Sequence, residues 1–498
     1  MEHILPALKD VFELKMLFYI FGGTALGIAV GAMPGLSATM GLAVVLPLTF
    51  YMSPAEGIII LLGMYVGALY GGSFSAILLN IPGAPPAVMT ALDGYPMSKR
   101  GEAGRAIGIS TLSSFIGGLF GVICLIVIAP ILAKFALKFG PPEYTLLAVF
   151  GLSAIVAVAS KSLIRGFVGV TIGLLIATVG LDPFTSVPRF TFGRVELMSG
   201  ISYVPIVIGM FGLTEVMNQT MEINIAGKIS QKIKKIIPGK ADIMLVMKKF
   251  LPSSIIGMLI GVLPGAGGTI ASIISYNQAV QTSKTPEKFG TGIPEGVIAA
   301  ESANNAEVGG SLVPLFTLGI PGSSPAAILL GALMIHNLTP GPMLFVEQAT
   351  LMNTMFIALI VSQFALMIVG LLMAKAAPYI ISIRKVVMLP IIALLCVIGS
   401  YALKNSYLDI VIMMIFGVVG FILQEFGIKP APIILGLILG PLAENNLRST
   451  LEISEHGLFL FITRPICIVL LVLILAVILF PFWQSKRMER KRKRSIKT

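Results

Sequence analysis

An unusually polar stretch lies inside an apolar part of this 498-residue sequence, between Glu295 and Glu307. Within it Glu301, Asn304 and Asn305 are spaced i, i+3 and i+4, so a helix would place all three on one face. Carboxylates and amides in a membrane-embedded segment are functional candidates, because burying them away from water is costly. The alternative is that the stretch is a helix start at the cytoplasmic edge of the membrane and is solvated there. The stretch predicts a polar binding surface on one helix.

Four of the Pro-Gly pairs interrupt apolar runs, at Pro34, Pro82, Pro264 and Pro321. Non-helical backbone is tolerated within a bilayer only inside protein or beside a water-filled cavity. Helix N-termini that follow such breaks attract anions, and the freed carbonyls suit Na⁺. The alternative is that the small residues around the breaks serve helix packing, for which the GxxxG pattern is typical.

Small polar residues and glycines near these breaks, with the polar stretch, supply the candidate ligands. The predicted substrate-binding residues are Ser37, Thr39, Asn80, Gly83, Thr269, Asn304, Asn305, Ser323 and Ser324. The predicted cation-binding residues are Gly35, Ser73, Gly265, Ser311, Thr317 and Glu301.

Motifs for catalysis are absent from the sequence. It contains no GxxxxGK[ST] phosphate loop, no HExxH and no GxSxG, and its three histidines are scattered. The three cysteines lie in apolar runs, which is typical of buried free thiols. We therefore expect a protein that is not an enzyme and has no cofactor.

The composition sets the class of the protein that must position these residues. Hydrophobic residues make up 56% of the chain and charged residues 12%, whereas soluble proteins carry about 25% charged residues. This predicts an all-α polytopic membrane protein of about 11–12 transmembrane helices, and excludes soluble enzymes, disulfide scaffolds and disordered proteins. One span is predicted at about 253–280, and the shorter apolar piece at 431–442 is predicted to be re-entrant.

The net charge of +12 lies in two segments, the loop at 222–249 and the tail from Gln484 onward. Such segments are typical of cytoplasmic loops, so both are predicted to lie inside. This placement argues against nucleic acid as a partner. The tail also suits anionic membrane lipid.

The sequence is internally duplicated. The matching segments are 27–39 with 257–269, 71–83 with 309–322, and 205–209 with 432–436. The first pair has an offset of 230 residues. In the second pair the offset is 238 at the Gly-Gly-Ser segment and 239 at the Ile-Pro-Gly segment.

The duplication and the charges together predict the topology. If the loop and the tail are cytoplasmic, each half crosses the membrane an odd number of times, so the halves are inverted and the N-terminus is outside. The predicted segments are a first repeat at 1–221, a basic cytoplasmic loop at 222–249, a second repeat at 250–445, an extra transmembrane helix at 446–484 and a basic cytoplasmic tail at 485–498. Inverted repeats with paired broken helices are typical of secondary transporters.

Three long runs carry a family resemblance. They are GAMPGLSATMGLAVVLPLTF at 31–50, GALYGGSFSAILLNIPGAPPAVMTALDGYPM at 67–97, and the segment at 261–342 that begins GVLPGAGGTIAS and continues through IPEGVIAAESANNAEVGGSLVPLFTLGIPGSSPAAILLGALMIHNLTPGP. To about residue 480 the chain resembles the large membrane subunit of the tripartite tricarboxylate transporters, the TctA family.

The resemblance implies a transporter of the inner (cytoplasmic) membrane that imports tricarboxylates or related carboxylates, driven by a Na⁺ or H⁺ gradient. The implied partners are a small membrane subunit of about four helices and a periplasmic or extracellular solute-binding protein. From the residues alone an ion channel stays open as an alternative, because channels also contain broken helices. An intramembrane enzyme is a further alternative, although no nucleophile with a base is visible.

Overall fold

The protein is almost entirely helical, as its composition predicts. The computed structural model describes residues 3–159, 162–221, 233, 236–453 and 457–479, so the basic tail and the first part of the basic loop, apart from residue 233, lie outside the described residues. In the first half the helices are α1 (Ile4–Val11), α2 (Leu14–Ala32), α3 (Ala38–Val45), α4 (Pro54–Leu79), α5 (Val88–Met97), α6 (Ala103–Ala136), α7 (Pro141–Ala159), α8 (Leu163–Ala177), α9 (Tyr203–Val207) and α10 (Thr214–Met221).

In the second half the helices are α11 (Lys240–Gly261), α12 (Gly267–Thr282), α13 (Pro294–Leu318), α14 (Ser324–Ile335), α15 (Leu344–Glu347), α16 (Ala349–Ala374), α17 (Ala377–Ile381), α18 (Lys385–Lys404), α19 (Tyr407–Glu425), α20 (Pro430–Ile453), α21 (Leu460–Thr463) and α22 (Pro465–Leu479). One antiparallel hairpin joins β1 (Gly180–Leu181) to β2 (Pro188–Arg189). Short 3₁₀ turns include Leu46–Tyr51 and Pro85–Ala87, and Ser98–Glu102 and Ile208–Leu213 are π-helical.

Among the described residues, seven helices are long and apolar enough to cross a membrane. Five shorter apolar helices accompany them, at Ala38–Tyr51, Pro141–Ala157, Leu163–Ala177, Ser324–Ile335 and Pro465–Leu479. The fold class, an all-α polytopic membrane protein, is therefore confirmed. The total of about 11–12 spans stays a prediction, because length and composition do not decide which shorter helices cross.

Two local expectations differ from the structure. The span expected at 253–280 is two helices, because the Pro264-Gly265 pair ends α11 and α12 begins only at Gly267. The apolar piece at 431–442 is the first part of the 24-residue helix α20. Pro441 lies inside that helix, so the apolar stretch stops there while the helix continues through polar residues.

The chain divides into two compact units, and each draws on both halves of the sequence. The larger unit comprises Met1–Ala136 and Val204–Phe421, and the smaller comprises Leu137–Tyr203 and Ile422–Thr498. In the larger unit α4 and α13 are buried along almost their whole lengths. Helix α2 packs along α4, and α6 and α11 pack along α13. The predicted boundaries of the repeats stay predictions, since compactness does not report sequence homology.

Glycines allow these helices to approach closely, and they do so in the same way in both halves. A Cβ added to Gly27 would lie 2.3 Å from the carbonyl oxygen of Met64, and one added to Gly257 would lie 2.1 Å from that of Ala303. Both distances are shorter than any real Cβ contact, so only glycine fits. The GxxxG glycines therefore serve helix packing, as the alternative interpretation stated.

The contacts also define the register between the two duplicated segments. Gly83 donates its N–H to the carbonyl of Gly72, and Gly322 donates to that of Ser311, both at 3.3 Å. The matching partner of Gly72 is therefore Ser311, whereas the sequence comparison paired Gly72 with Gly310. The structural offset is therefore 239 residues throughout this segment. The sequence comparison gave 238 at the Gly-Gly-Ser segment because adjacent small residues in both halves permit a match shifted by one position. The opposite orientation of the two halves stays a prediction.

The smaller unit contains α7, α8 and α20, which pack on one another, and the β hairpin. Asp182 in the hairpin accepts the backbone N–H groups of Phe184 and Thr185, each at 2.9 Å, and pairs with Arg448 at 2.8 Å. These contacts, the Thr185 backbone N–H above all, lower the pKa of Asp182 well below its usual range, against the opposing effect of burial. Arg189 links the same carboxylate to Glu444.

Candidate functional site

Each of the four Pro-Gly breaks is followed by a new helical segment. Helix α3 follows the first break, the turn at Pro85–Ala87 and α5 follow the second, α12 follows the third and α14 follows the fourth. Gly35 and Gly265 have φ values of 91° and 77°, in the left-handed region that favours glycine. Each break therefore ends one helix and is followed by the start of another helical segment.

Three of these four helix starts lie next to one another. Gly265 donates its N–H to the carbonyl of Gly322 at 2.9 Å, which joins the third break to the fourth. A Cβ on Gly267, at the start of α12, would lie 3.8 Å from Cβ of Ser323. The start of α12 also packs against the turn at Pro85–Ala87. The third, fourth and second breaks therefore share one region of the larger unit.

Asn304 lies at this meeting point. A Cβ on Gly268 would lie 2.4 Å from Oδ1 of Asn304 and 3.2 Å from Cγ of Pro86, so the amide, the start of α12 and the second break converge. Nδ2 of Asn304 donates to the carbonyl of Leu69 at 3.3 Å. Its Oδ1 is buried and has no hydrogen-bond partner among the described residues. A buried polar atom without a partner is unusual and is typical of binding sites.

Asn305 and Glu301, the other two members of the predicted polar face, are also fully buried. Nδ2 of Asn305 donates to the carbonyl of Glu301, and its Oδ1 has no partner within the described part of the chain. Glu301 accepts hydroxyl hydrogens from Thr90 and, at 2.8 Å, from Ser114. Glu301 is thus not a solvated helix start, and both of its oxygens are satisfied.

A second buried cluster surrounds Glu307 near the fourth break. The hydroxyl of Tyr65 lies 2.8 Å from Oγ of Ser323, 3.0 Å from Oγ of Ser311 and 3.3 Å from Oε2 of Glu307. All four side chains are buried. Oε1 of Glu307 has no hydrogen-bond partner among the residues that the structure describes. The cluster brings Ser311, a predicted cation ligand, together with Ser323, a predicted substrate ligand.

The first break has different neighbours. The carbonyl of Gly35 accepts a hydrogen bond from Nε2 of Gln219 at 3.0 Å. Lys385 donates to Oε1 of the same glutamine. Ser37 accepts the N–H of Met40 at 3.1 Å, so it is the N-cap of α3. Thr39 is buried in the first turn of that helix, which packs against α14. The backbone of the first break is therefore held by a side chain from α10, while the helix that follows it packs against the helix that follows the fourth break.

The remaining predicted ligands have mainly local roles. Asn80 is exposed and ends α4 in the left-handed conformation, and Thr317 donates to the carbonyl of Val313 one turn earlier in α13. Ser73 accepts from Ser110 at 2.9 Å, on the interface of α4 with α6. Gly83 packs against the carbonyl of Gly31, where a Cβ would not fit. Thr269 and Ser324 are half-buried, in the first turns of α12 and α14.

Several polar residues at these sites were not selected from the sequence. They are Tyr65, Thr90, Ser114, Gln219, Glu307 and Lys385. Glu307 could have been found, since it is a carboxylate inside a membrane-length helix, but only one face of α13 was considered. The others gave no local signal, because single hydroxyls are common in apolar helices.

Asp93 explains how the polar helix α13 is held in place. Its Oδ1 accepts the backbone N–H groups of Gly290, Gly292 and Ile293, just before α13 begins, and Tyr276 donates to its Oδ2 at 2.8 Å. This carboxylate caps the start of α13 from another helix. Asp93 therefore helps to hold the start of α13 in place.

Comparison with known proteins identifies the family. The model of the tripartite tricarboxylate transporter TctA family matches residues 17–435. The chain belongs to this family. An uncharacterized 52.8 kDa protein in the TAR-I ttuC' 3' region of Agrobacterium vitis is 37% identical over 474 residues, which cover 95% of this chain and 94% of that protein. No solved structure matches.

A second relative from the same organism matches part of the chain. This uncharacterized protein in the TAR-II ttuC' 3' region is 36% identical over 234 residues, which cover 47% of this chain and 97% of that protein. The resemblance to the TctA family is thus confirmed over most of the chain, and with it the prediction of a multi-pass membrane protein in a transport family.

Proposed function

We propose that this chain is the large transmembrane subunit of a binding-protein-dependent secondary transporter that imports tricarboxylates or related carboxylates. Family membership supports the transport class. The observation that carries the proposal further is the convergence of three helix starts beside the unpartnered amide oxygen of Asn304. Such helix starts present backbone N–H groups and partial positive charge, which suit an anionic substrate.

The electrostatics of the buried interior fit an anion site made of backbone dipoles. Among the described residues no lysine or arginine side chain is buried, so no fixed cation is available to hold a carboxylate there. Backbone N–H groups at the starts of α12 and α14 would donate to the ligand, with Asn304 and Ser323 beside them. The Pro85–Ala87 turn would border the site without donating, because its prolines have no N–H. A bound coupling cation would offset the remaining negative charge of the substrate.

The family also guides the proposed assembly and location. A small membrane subunit and an extracytoplasmic solute-binding protein are the proposed partners, and the inner membrane is the proposed location. The two halves are proposed to have opposite orientations, with the basic tail in the cytoplasm. Paired breaks in both halves support this arrangement, because inverted repeats build their substrate sites from such segments.

Substitution of the amide at the convergence point tests the site. The solute-binding protein encoded with this chain is first screened against di- and tricarboxylates by thermal shift. Uptake of the radiolabelled carboxylate that stabilises it most is then measured in proteoliposomes containing the full membrane complex. Because a hydrogen bond to a charged ligand contributes about 1.5–3 kcal/mol, we expect Asn304→Ala to weaken apparent affinity by about tenfold or more. Ser323→Ala is expected to do the same.

Ser362→Ala is the control, since Ser362 is also buried but donates its hydroxyl to the carbonyl of Ala358 one turn earlier in α16. It should retain wild-type uptake. Wild-type kinetics in both Asn304→Ala and Ser323→Ala, at normal protein levels, would contradict the site. Uptake that needs neither an ion gradient nor the binding protein would contradict the proposed class of transporter.

A further inference from the structure

The carboxylate of Glu307 is buried without a compensating charge. Only 1% of the residue is exposed, and its Oε1 has no hydrogen-bond partner among the described residues. Its Oε2 lies 3.3 Å from the hydroxyl of Tyr65, which is long for a hydroxyl hydrogen bond. A bare carboxylate in this setting carries a large desolvation cost, so its charge must be neutralised either by a proton or by a cation beside it.

Among the described residues, no side chain supplies a cation for this carboxylate. Within the described chain, none of the ion pairs includes Glu307. Tyr65 is the titratable group that faces it, and Glu301 is satisfied elsewhere by Thr90 and Ser114. On the helices packed against α13, Arg105 pairs with Asp242, and Lys248 and Lys249 are exposed.

The oxygens around Glu307 could coordinate a cation, because few of their hydrogens are available to donate to the carboxylate. Ser311 gives its one hydroxyl hydrogen to the carbonyl of Val308 at 3.1 Å, which leaves its lone pairs for the cluster. Tyr65 has a single hydrogen and three oxygen neighbours. Three hydroxyl oxygens and a carboxylate from α4, α13 and the start of α14 therefore meet with few hydrogens among them.

This donor set has the chemistry of a site for a hard monovalent cation. Carboxylate and hydroxyl oxygens are the ligands that hard cations prefer. The single carboxylate charge matches one positive charge, and no group of three or more His, Cys, Asp or Glu converges in the described residues to suit a multivalent metal. Ser323 directly follows the fourth break, where unwound backbone adds carbonyl oxygens.

We infer that Glu307, Tyr65, Ser311 and Ser323 form a Na⁺-binding site. Na⁺ binding at this site does not require that the protein is a transporter. The role of the site in coupling Na⁺ to transport rests on the proposed function. Because Ser323 also lies at the start of α14, beside the convergence point of Asn304, bound Na⁺ would place its charge next to the proposed carboxylate site. Glu301, whose oxygens already have hydroxyl donors, is not part of this site.

Thermal unfolding of the full-length protein in detergent tests the inference without any carboxylate or binding protein. Wild type is scanned in NaCl and in KCl at equal ionic strength. Since a ligand that binds only the folded state raises its stability, Na⁺ should raise Tm by a few degrees over K⁺. Glu307→Gln removes the charge that needs the cation, so its Tm should be the same in both salts.

Two further variants separate loss of the site from loss of the fold. Tyr65→Phe and Ser311→Ala each remove one oxygen, and the Na⁺ concentration for a half-maximal shift should rise about tenfold in each. Glu295→Gln is the matched control, an amide for a carboxylate in the first turn of the same helix, and should keep the wild-type Na⁺ response.

The outcomes distinguish this site from the proposed function. Equal Tm of wild type in Na⁺ and K⁺ overturns the site, as does a Na⁺ response that survives in Glu307→Gln. A Glu307-dependent response to pH with none to Na⁺ also overturns it and identifies a proton instead. A Na⁺ shift in a protein that fails to import carboxylates leaves the site intact and overturns the transport proposal.

Discussion

At the scale of single residues, the buried polar atoms of α13 differ in whether they have a hydrogen-bond partner. Asn304, Asn305 and Glu307 each keep one buried oxygen without a partner in the described chain, whereas Glu301 has donors for both oxygens. Leaving such atoms unpaired costs stability, so they persist where a ligand or ion completes them. Ser37, by contrast, accepts the backbone N–H of Met40 as the cap of α3, so its hydroxyl oxygen has a partner.

Asp182 provides a prediction about pH. Its pKa is lowered in the folded protein, chiefly by the backbone N–H of Thr185, so its stabilising contribution is present above the unfolded pKa of about 3.9. That contribution is lost as the pH falls below this value toward the folded pKa. We expect Asp182→Asn to have a lower Tm than wild type at neutral pH and a smaller loss of Tm in acid.

Thermal scans of both proteins between neutral and acidic pH measure this effect. Arg448→Gln removes one partner of the carboxylate and leaves the backbone donors, so its acid dependence should fall between the two. Parallel Tm curves for wild type and Asp182→Asn would refute the assignment.

At the scale of helices, the duplicated glycines determine how α2 and α11 lie along their buried partners. The contacts of Gly27 and Gly257 recur at equivalent positions, with their partners Met64 and Ala303 separated by 239 residues. These contacts position the polar side chains on α4 and α13. A displacement of either helix would move Tyr65 on α4 and Glu307 on α13 apart.

A glycine pair on α2 tests this packing. A Cβ on Gly31 would lie 2.1 Å from the carbonyl oxygen of Ala68, whereas Gly22 on the same helix has nothing within 4 Å. Gly31→Ala should therefore destabilise the protein by about 1–3 kcal/mol through overpacking. Gly22→Ala should be neutral or slightly stabilising, because alanine favours helix.

Both variants are compared with wild type by thermal unfolding in the same detergent. The difference between the two alanine variants is the informative quantity, since both gain the same methyl group. Equal Tm values for Gly31→Ala and Gly22→Ala would show that the close approach of α2 to α4 does not limit stability.

At the scale of the whole molecule, the two compact units combine segments from both halves of the sequence. The larger unit contains the four Pro-Gly breaks and both buried polar clusters, and the smaller unit contains the hairpin and its ion pairs. Sequence repeats and compact units therefore divide this chain differently, since packing joins segments that are distant along the sequence.

The inverted arrangement makes a prediction about the two ends of the chain. The tail should be cytoplasmic, so a fluorescent protein fused after Thr498 should fluoresce and alkaline phosphatase fused there should be inactive. An epitope placed before Met1 should be accessible to a membrane-impermeant label in intact spheroplasts. Protection of that epitope until the cells are lysed would mean that the N-terminus is inside and the odd number of crossings is wrong.

The sequence by itself determined the class, the breaks and the family. Low charge content, the Pro-Gly pairs and the long motifs are local or compositional properties, so they can be read without coordinates. The equivalence of Gly72 and Ser311 could not be read from the sequence, because adjacent small residues permit two registers. The sequence also identified the polar face of α13, but it could not show that Glu301 is satisfied.

Only the tertiary structure decided which side chains meet. Tyr65 and Glu307 are 242 positions apart in the chain, and Thr90 and Glu301 are 211 apart. No local pattern connects such residues, because their proximity depends on how closely α4, α5 and α13 pack and at which register. A single hydroxyl in an apolar helix contacts a buried carboxylate only when the helices pack so that the two groups are adjacent.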